Sequence, residues 1–267
     1  ARTEAFRVLR TNLKYIIPSI PAKVVALTSA LPNEGKSTTA INLAISIMQG
    51  GQKVVLVESD MRRPKIPSYL EFSKEDLGLS HLLSSKLKFS QSKLQKYIHK
   101  YQDTELDIIL SGTVPGNPSE LLGSDKFDEL LNILRKKYDY VIIDSPPLLP
   151  VTDAAVVASK VDGAILVVHA GKTRKPEFKG ARAAIESVGG RILGVVLNKI
   201  PEDSKGYKYG YRYGYPRQYG ATYGASAQQV YAPSDEDQYR IEREEFFERV
   251  AGKRFKEELL RESSKYD

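Results

Sequence analysis

The stretch that decides the fold is "KVVALTSALPNEGKSTTAINLAISIMQGG", residues 23–51. Its first eight residues form a short apolar run, which predicts a buried strand. From Gly35 the apolar positions recur at helical spacing until Gly50-Gly51, a C-terminal stop signal. Between strand and helix lies "ALPNEGKST", residues 30–38, with GKS at the start of the helix. A strand, a tight loop and a helix opening on Gly-Lys-Ser form the context of a phosphate-binding loop. Backbone N–H groups at the helix N-terminus converge on phosphate oxygens. Lys36 supplies a point charge for the β and γ phosphates, Ser37 a hydroxyl for Mg²⁺, and Gly35 lets the backbone come close. Ala30 stands where the usual pattern has its first glycine. The candidate phosphate-binding residues are Ala30, Leu31, Pro32, Asn33, Glu34, Gly35, Lys36, Ser37 and Thr38.

Working outward, further apolar runs predict strands at residues 53–60, 106–112, 139–147, 163–170 and 191–200. Helical patterns lie between them, at 119–138 and 175–189, and the interval 61–105 reads as mostly polar and helical. Strands alternating with helices predict a mostly parallel sheet covered on both faces. In such sheets the ligand lies beyond the carboxyl ends of the strands. "VVLVESDMRRP" puts Glu58 and Asp60 there, and "YVIIDSPP" puts Asp144 there. Three carboxylates beside a phosphate loop would meet the nucleotide's metal, which takes few protein ligands and keeps waters between. "GVVLNKI" places Asn198 at the last strand end, where an amide would bond a base edge.

Residues 1–15 read as an amphipathic helix, with Ala5, Val8, Leu9, Leu13 and Ile16 at helical spacing before Pro18 and Pro21 break the pattern. The four expected regions are an N-terminal helix (1–20), the phosphate-loop domain (21–200), a tyrosine-rich tail (201–231) and a charged C-terminal helix (232–267). The tail contains "YKYGYRYGYPRQYGATY", residues 207–223. Its glycines and Pro216 weaken any strand, so it reads as flexible chain displaying hydroxyls. Net charge is +7 overall, with the basic excess in residues 1–200. A basic body suits ATP, anionic lipid or nucleic acid. No cysteine is present, which excludes disulfides and thiolate-held metal centres. No apolar run approaches the ~20 residues of a membrane helix. A start at Ala1 fits a piece of a longer protein.

The phosphate loop, "VLVESDMRRP", "DIILSGTVPGNPSELL", "DYVIIDSPP", "GVVLNK" and the tyrosine cluster occur in that order. In this order the chain resembles the bacterial tyrosine kinases of capsular and exopolysaccharide biosynthesis, over roughly residues 1–225. The resemblance implies a three-layer P-loop ATPase of the MinD/ParA-like branch that uses ATP and Mg²⁺. It makes residues 30–38 the Walker A loop, Glu58 and Asp60 the Walker A′ acids, and Asp144 the Walker B acid. Lys36, Glu58, Asp60 and Asp144 would then be catalytic, with Ser37, Glu58, Asp60 and Asp144 around the metal. The family usually has Asp where Glu58 stands. Asn198 would contact adenine.

"EAFRVLR" matches the family's ExxRxxR helix, so Glu4, Arg7 and Arg10 would line the interface of a ring homo-oligomer, an octamer by this resemblance. The phosphoacceptors would be Tyr207, Tyr209, Tyr211, Tyr213, Tyr215, Tyr219, Tyr223 and Tyr231, presented to a neighbouring subunit. The implied partners are a membrane adaptor or an upstream transmembrane region of the same protein, a cognate tyrosine phosphatase and other protein substrates. No nucleic acid is implied. The implied place is the cytoplasmic side of the bacterial membrane. The alternative is a positioning ATPase of the ParA/MinD kind. Those carry a second lysine early in the loop, where this chain has Leu31 or Pro32. A nucleic-acid-binding module is a weaker alternative, since Tyr/Gly/Arg segments stack bases but need no ATPase.

Overall fold

A computed structural model describes residues 2–16, 23–73, 76–85 and 94–200. The tyrosine cluster and residues 232–267 lie outside the described residues, as do Pro18 and Pro21.

The helices are α1 (Arg2–Ile16), α2 (Lys36–Gln49), α3 (Ile66–Leu70), α4 (Leu79–Ser84), α5 (Pro118–Gly123), α6 (Asp125–Lys137), α7 (Asp153–Ala158) and α8 (Lys175–Glu186). The strands are β1 (Lys23–Ser29), β2 (Val54–Glu58), β3 (His99–Lys100), β4 (Asp107–Ile109), β5 (Tyr140–Asp144), β6 (Gly163–His169) and β7 (Ile192–Asn198). The sheet order is β3-β4-β2-β5-β1-β6-β7. Neighbours are parallel except β3, which pairs antiparallel with β4.

The apolar runs become strands because both faces of a parallel sheet are covered. Val24, Ala26, Val55, Val57, Val141 and Ile143 share one core with Phe127, Leu130 and Leu134 of α6 and with Val157 and Ile185. The alternate residues Val25, Leu27, Leu56 and Ile142 are equally buried and point to the opposite face. Helix α2 covers β1, β2 and β5 there, backed by α1. The result is the expected three-layer α/β arrangement. Register sets the site. Asp144 stands level with Leu27 of β1 on one side and with Glu58 of β2 on the other.

Three elements differ from the sequence expectation. The interval 61–105 holds only short helical pieces and the strand β3 among its described residues. The helix expected over 119–138 is two helices, because Ser124 takes an extended conformation (ψ 155°) and its hydroxyl bonds Leu121 O at 2.6 Å. The strand expected over 106–112 stops at Ile109. The chain beyond it turns to accept the first N–H groups of α4, with Leu79 N donating to Leu110 O at 2.7 Å and Ser80 N to Ser111 O at 2.8 Å. Among the described residues, no helix is long and apolar enough to cross a membrane.

Candidate functional site

The loop of residues 30–35 joins the end of β1 to α2. Asn33 (φ 64°) and Gly35 (φ 91°) both take left-handed backbone conformations, which curls the loop over the helix N-terminus. At Gly35 a side chain is excluded twice, by φ and by space: a Cβ would lie 2.0 Å from Asn198 Nδ2. Gly35 O accepts the Thr39 N–H at 2.9 Å and the Thr39 hydroxyl at 2.8 Å. These bonds anchor the first turn of α2, whose earlier N–H groups have no partner within the helix.

Lys36 meets the acids of the neighbouring strand ends. Its Nζ lies 3.1 Å from Asp60 Oδ2 and donates to Ser37 Oγ at 3.4 Å. Burial works against the ammonium, but the charges of Asp144, Asp60 and Glu58 outweigh it and raise its pKa above the ordinary lysine value. Asp60 Oδ1 accepts the Arg63 N–H at 3.1 Å, which fixes the loop after β2. Asp144 is fully buried, and its carboxylate has only the Ser37 hydroxyl beside it, short of a well-formed hydrogen bond. Burial pushes its pKa up to about 6, against the downward pull of the Lys36 charge and of the Ser37 hydroxyl.

Two buried, unpartnered carboxylate oxygens beside a lysine and a hydroxyl are costly unless a cation completes them. Ser37, Asp60 and Asp144 form a hard-oxygen set suited to Mg²⁺, which binds through one or two carboxylates plus phosphate and water. These residues fit the ion. Among the described residues, no group of three or more acidic, His or Cys side chains is arranged to hold a metal by itself.

Glu58, expected with the other two carboxylates around the metal, is held by backbone donors. Its Oε1 accepts the N–H groups of Lys65 and Ile66, each at 2.7 Å, and its Oε2 accepts the Ser111 N–H at 3.1 Å. Its charge still acts on Lys36. Burial raises the Glu58 pKa to about 7, opposed by the Ile66 N–H and helped by the Asp144 charge. The side chain ties β2 to the start of α3 and to the segment that follows β4.

Asn198, at the end of β7, sits against the loop. Its Nδ2 donates to Glu34 O at 3.1 Å. On α1, Glu4 and Arg7 form an exposed ion pair at 3.3 Å. Arg10 departs from them: its Nη1 donates to Ser46 O of α2 at 2.5 Å, a contact within the chain rather than on an open face.

Sequence reasoning missed two links. Arg62 grips the fully buried Asp153 through Nε (2.7 Å) and Nη2 (3.1 Å), and the Ser119 hydroxyl donates to the same carboxylate. Thr173, on the loop between β6 and α8, donates its hydroxyl to Glu34. The doubled arginine of "MRRP" was the one visible signal for the first link. Nothing in the sequence flags Thr173.

Residues 22–173 match the AAA domain family AAA_31. The tyrosine-protein kinase YwqD of Bacillus subtilis is 37% identical over 196 residues, spanning 73% of this chain and 80% of that protein. The putative tyrosine-protein kinase CapB of Staphylococcus aureus is 37% identical over 207 residues, spanning 78% of this chain and 88% of that protein. Among solved structures, the kinase domain of the Escherichia coli tyrosine kinase ETK superposes with TM-score 0.70 at 34% identity, covering 76% of this chain and 77% of that one. The septum site-determining protein MinD of Pyrococcus horikoshii, complexed with Mg-ADP, shares the fold at 23% identity and TM-score 0.56, covering 68% of this chain and 72% of that one.

Proposed function

This chain belongs to the bacterial tyrosine-protein kinases, and from that membership we propose that it autophosphorylates its own tyrosine cluster, residues 207–231, from ATP. The observation that supports this most is the placement of Lys36 between Asp60 and the unpartnered Asp144, at the start of α2. Phosphoryl transfer asks for positioning and charge stabilisation more than for covalent chemistry. Backbone N–H groups of the loop would bind the β and γ phosphates, and Lys36 would neutralise charge developing on the γ phosphate. Bound Mg²⁺ would supply further neutralisation and a template for the phosphates, held by Ser37, Asp60 and Asp144.

A tyrosine hydroxyl has an unperturbed pKa of about 10, so its attack needs an acceptor for the proton. Of the two acids at the end of β2, Glu58 is committed to backbone donors, so Asp60 would take that role in addition to its place beside the metal. Asn198 would face the base side of the nucleotide. Glu4 and Arg7 would join neighbouring subunits in a ring, so that each tail reaches the next subunit's site. The reading extends to control of capsular or exopolysaccharide assembly at the cytoplasmic face of a bacterial membrane, with a membrane adaptor as activator and a phosphatase as its counterpart.

The test is intact-mass measurement after incubation with Mg·ATP, beside Lys36→Met. Stepwise phosphate additions on the wild type alone, mapping to residues 207–231, are expected. Hydrolysis of ATP without any mass change, with or without an adaptor peptide, would favour the positioning ATPase instead.

A further inference from the structure

The phosphate loop carries an acid where charge alone argues against one. Glu34 immediately precedes Gly35 and Lys36, and a carboxylate facing the cavity would repel a triphosphate. The side chain is turned away and is only 4% exposed. Its Oε2 accepts the Leu31 N–H at 2.8 Å, which closes the loop on itself. Its Oε1 accepts the hydroxyl of Thr173. The Thr173 oxygen in turn accepts the His169 N–H at 2.9 Å, from the last residue of β6. The backbone of the same residue is engaged as well, since Glu34 O accepts Asn198 Nδ2 at 3.1 Å from the end of β7.

We propose that Glu34 is a positioning residue for nucleotide binding, bracing the phosphate loop against the ends of β6 and β7 through Thr173 and Asn198. This rests on the ATP-binding reading above and adds to it the device that shapes the loop. The chemistry of the partners explains the residue type. Leu31 offers an N–H. Thr173 must offer its O–H, because its oxygen already accepts from His169. Two donors aimed at one side chain call for an acceptor-only group with two oxygens. Glutamine presents one oxygen and one NH₂, so one of the two donors would face another donor. The brace does two things at once. It keeps the carboxylate out of the phosphate cavity, and it couples the loop to the segment that opens α8 two residues beyond Thr173.

The test uses Thr173→Val, Thr173→Ser and Glu34→Gln in the full chain. Calorimetry gives the Kd of Mg·ATP, steady-state kinetics give KM and kcat, and melting is followed without nucleotide. A lost buried hydrogen bond in the loop should weaken ATP binding about tenfold in Thr173→Val and Glu34→Gln. Thr173→Ser, which keeps the hydroxyl, should stay within about twofold of the wild type. The loss should appear in KM, with kcat little changed, since Lys36, Ser37, Asp60 and Asp144 are untouched. A lower melting temperature in Thr173→Val with unchanged ATP affinity would make the contact merely structural and overturn the brace. Tighter ATP binding by Glu34→Gln would overturn it too, since the charge would then act directly on the phosphates. A wild-type chain that binds no ATP would sink the underlying reading along with the brace. Normal wild-type binding with an unaffected Thr173→Val would sink the brace alone.

Discussion

At the scale of the residue, the two buried acids Asp144 and Glu58 show how far position outranks residue type. They stand level on adjacent strands, yet one has only the Ser37 hydroxyl beside it and the other has three backbone donors. Burial raises both, to about 6 and about 7 from ordinary values of 3.8 and 4.5. The folded chain therefore holds protons that the unfolded chain has released, between roughly pH 4 and pH 7. Where the native state binds more protons, stability falls as pH rises. The nucleotide-free, Mg²⁺-free protein should have a higher urea midpoint near pH 5 than near pH 7.5. Asp144→Asn, which never ionises, should flatten that dependence; a slope equal to the wild type's would show that Asp144 is not the source. Glu58→Gln should destabilise by about 1–3 kcal/mol, because an NH₂ group would face a backbone N–H, and urea unfolding measures it directly. Lys36, Ser37, Asp60 and Asp144 were legible in the sequence because strand ends and a glycine-lysine-serine helix start are local patterns. The employment of Glu58 was not legible. Its partners Lys65, Ile66 and Ser111 come from two other chain segments, and only the register of β2 and β4 brings them within reach. The same holds for Arg62 with Asp153 and for Glu34 with Thr173.

At the scale of the element, α1 packs on α2, with Leu13 as its fully buried side chain, Phe6 and Leu9 half-buried, and Arg10 bonded across to α2. Leu13 is 1% exposed. Arg10 binds Ser46 O in the last turn of α2, a carbonyl that also accepts the Gly50 N–H at 3.2 Å, at the helix end that favours a cation. A side chain at Gly50 would come within 2.8 Å of the same guanidinium, so the glycine that ends α2 also makes room for Arg10. Arg10→Ala should cost about 1–2 kcal/mol through the lost charged hydrogen bond, and Leu13→Ala about 2–5 kcal/mol through the cavity it leaves. Hydrogen exchange should speed up first in α1 and in the last turn of α2; unchanged exchange in both variants would mean that α1 is held elsewhere. The amphipathic pattern of α1 was plain in the sequence, as were the central strands, because both faces of a parallel sheet demand unbroken apolar runs. Strand β3 was invisible. It is two residues, His99 and Lys100, and its pairing with β4 comes from the neighbour and not from its own pattern. The break between α5 and α6 was hidden because apolar spacing continues across Ser124 while the backbone does not.

At the scale of the whole molecule, the site and the tyrosines it would modify lie in different parts of the chain, and their meeting decides whether the kinase acts on itself or on a neighbour. Glu4 and Arg7 keep their exposed pair, free of the body contacts that occupy Arg10. Within one motif, Arg10 also bonds α2 of its own chain, while Glu4 and Arg7 stand exposed for the proposed ring. A mixture of wild type with mass-tagged Lys36→Met distinguishes the routes. The tagged chain cannot use ATP but keeps its tyrosines, so transfer between subunits should phosphorylate it, whereas transfer within one chain should leave it bare. Adding Glu4→Ala and Arg7→Ala together to both chains should remove the larger species in sedimentation and cut phosphorylation of the tagged chain, with ATP affinity unchanged. Each phosphotyrosine adds about two negative charges, so a ring formed by the wild type should also loosen as the tails fill. A tagged chain labelled as fast with the substitutions as without them would remove Glu4 and Arg7 from the interface, and equal sedimentation before and after phosphorylation would remove the charge-driven release.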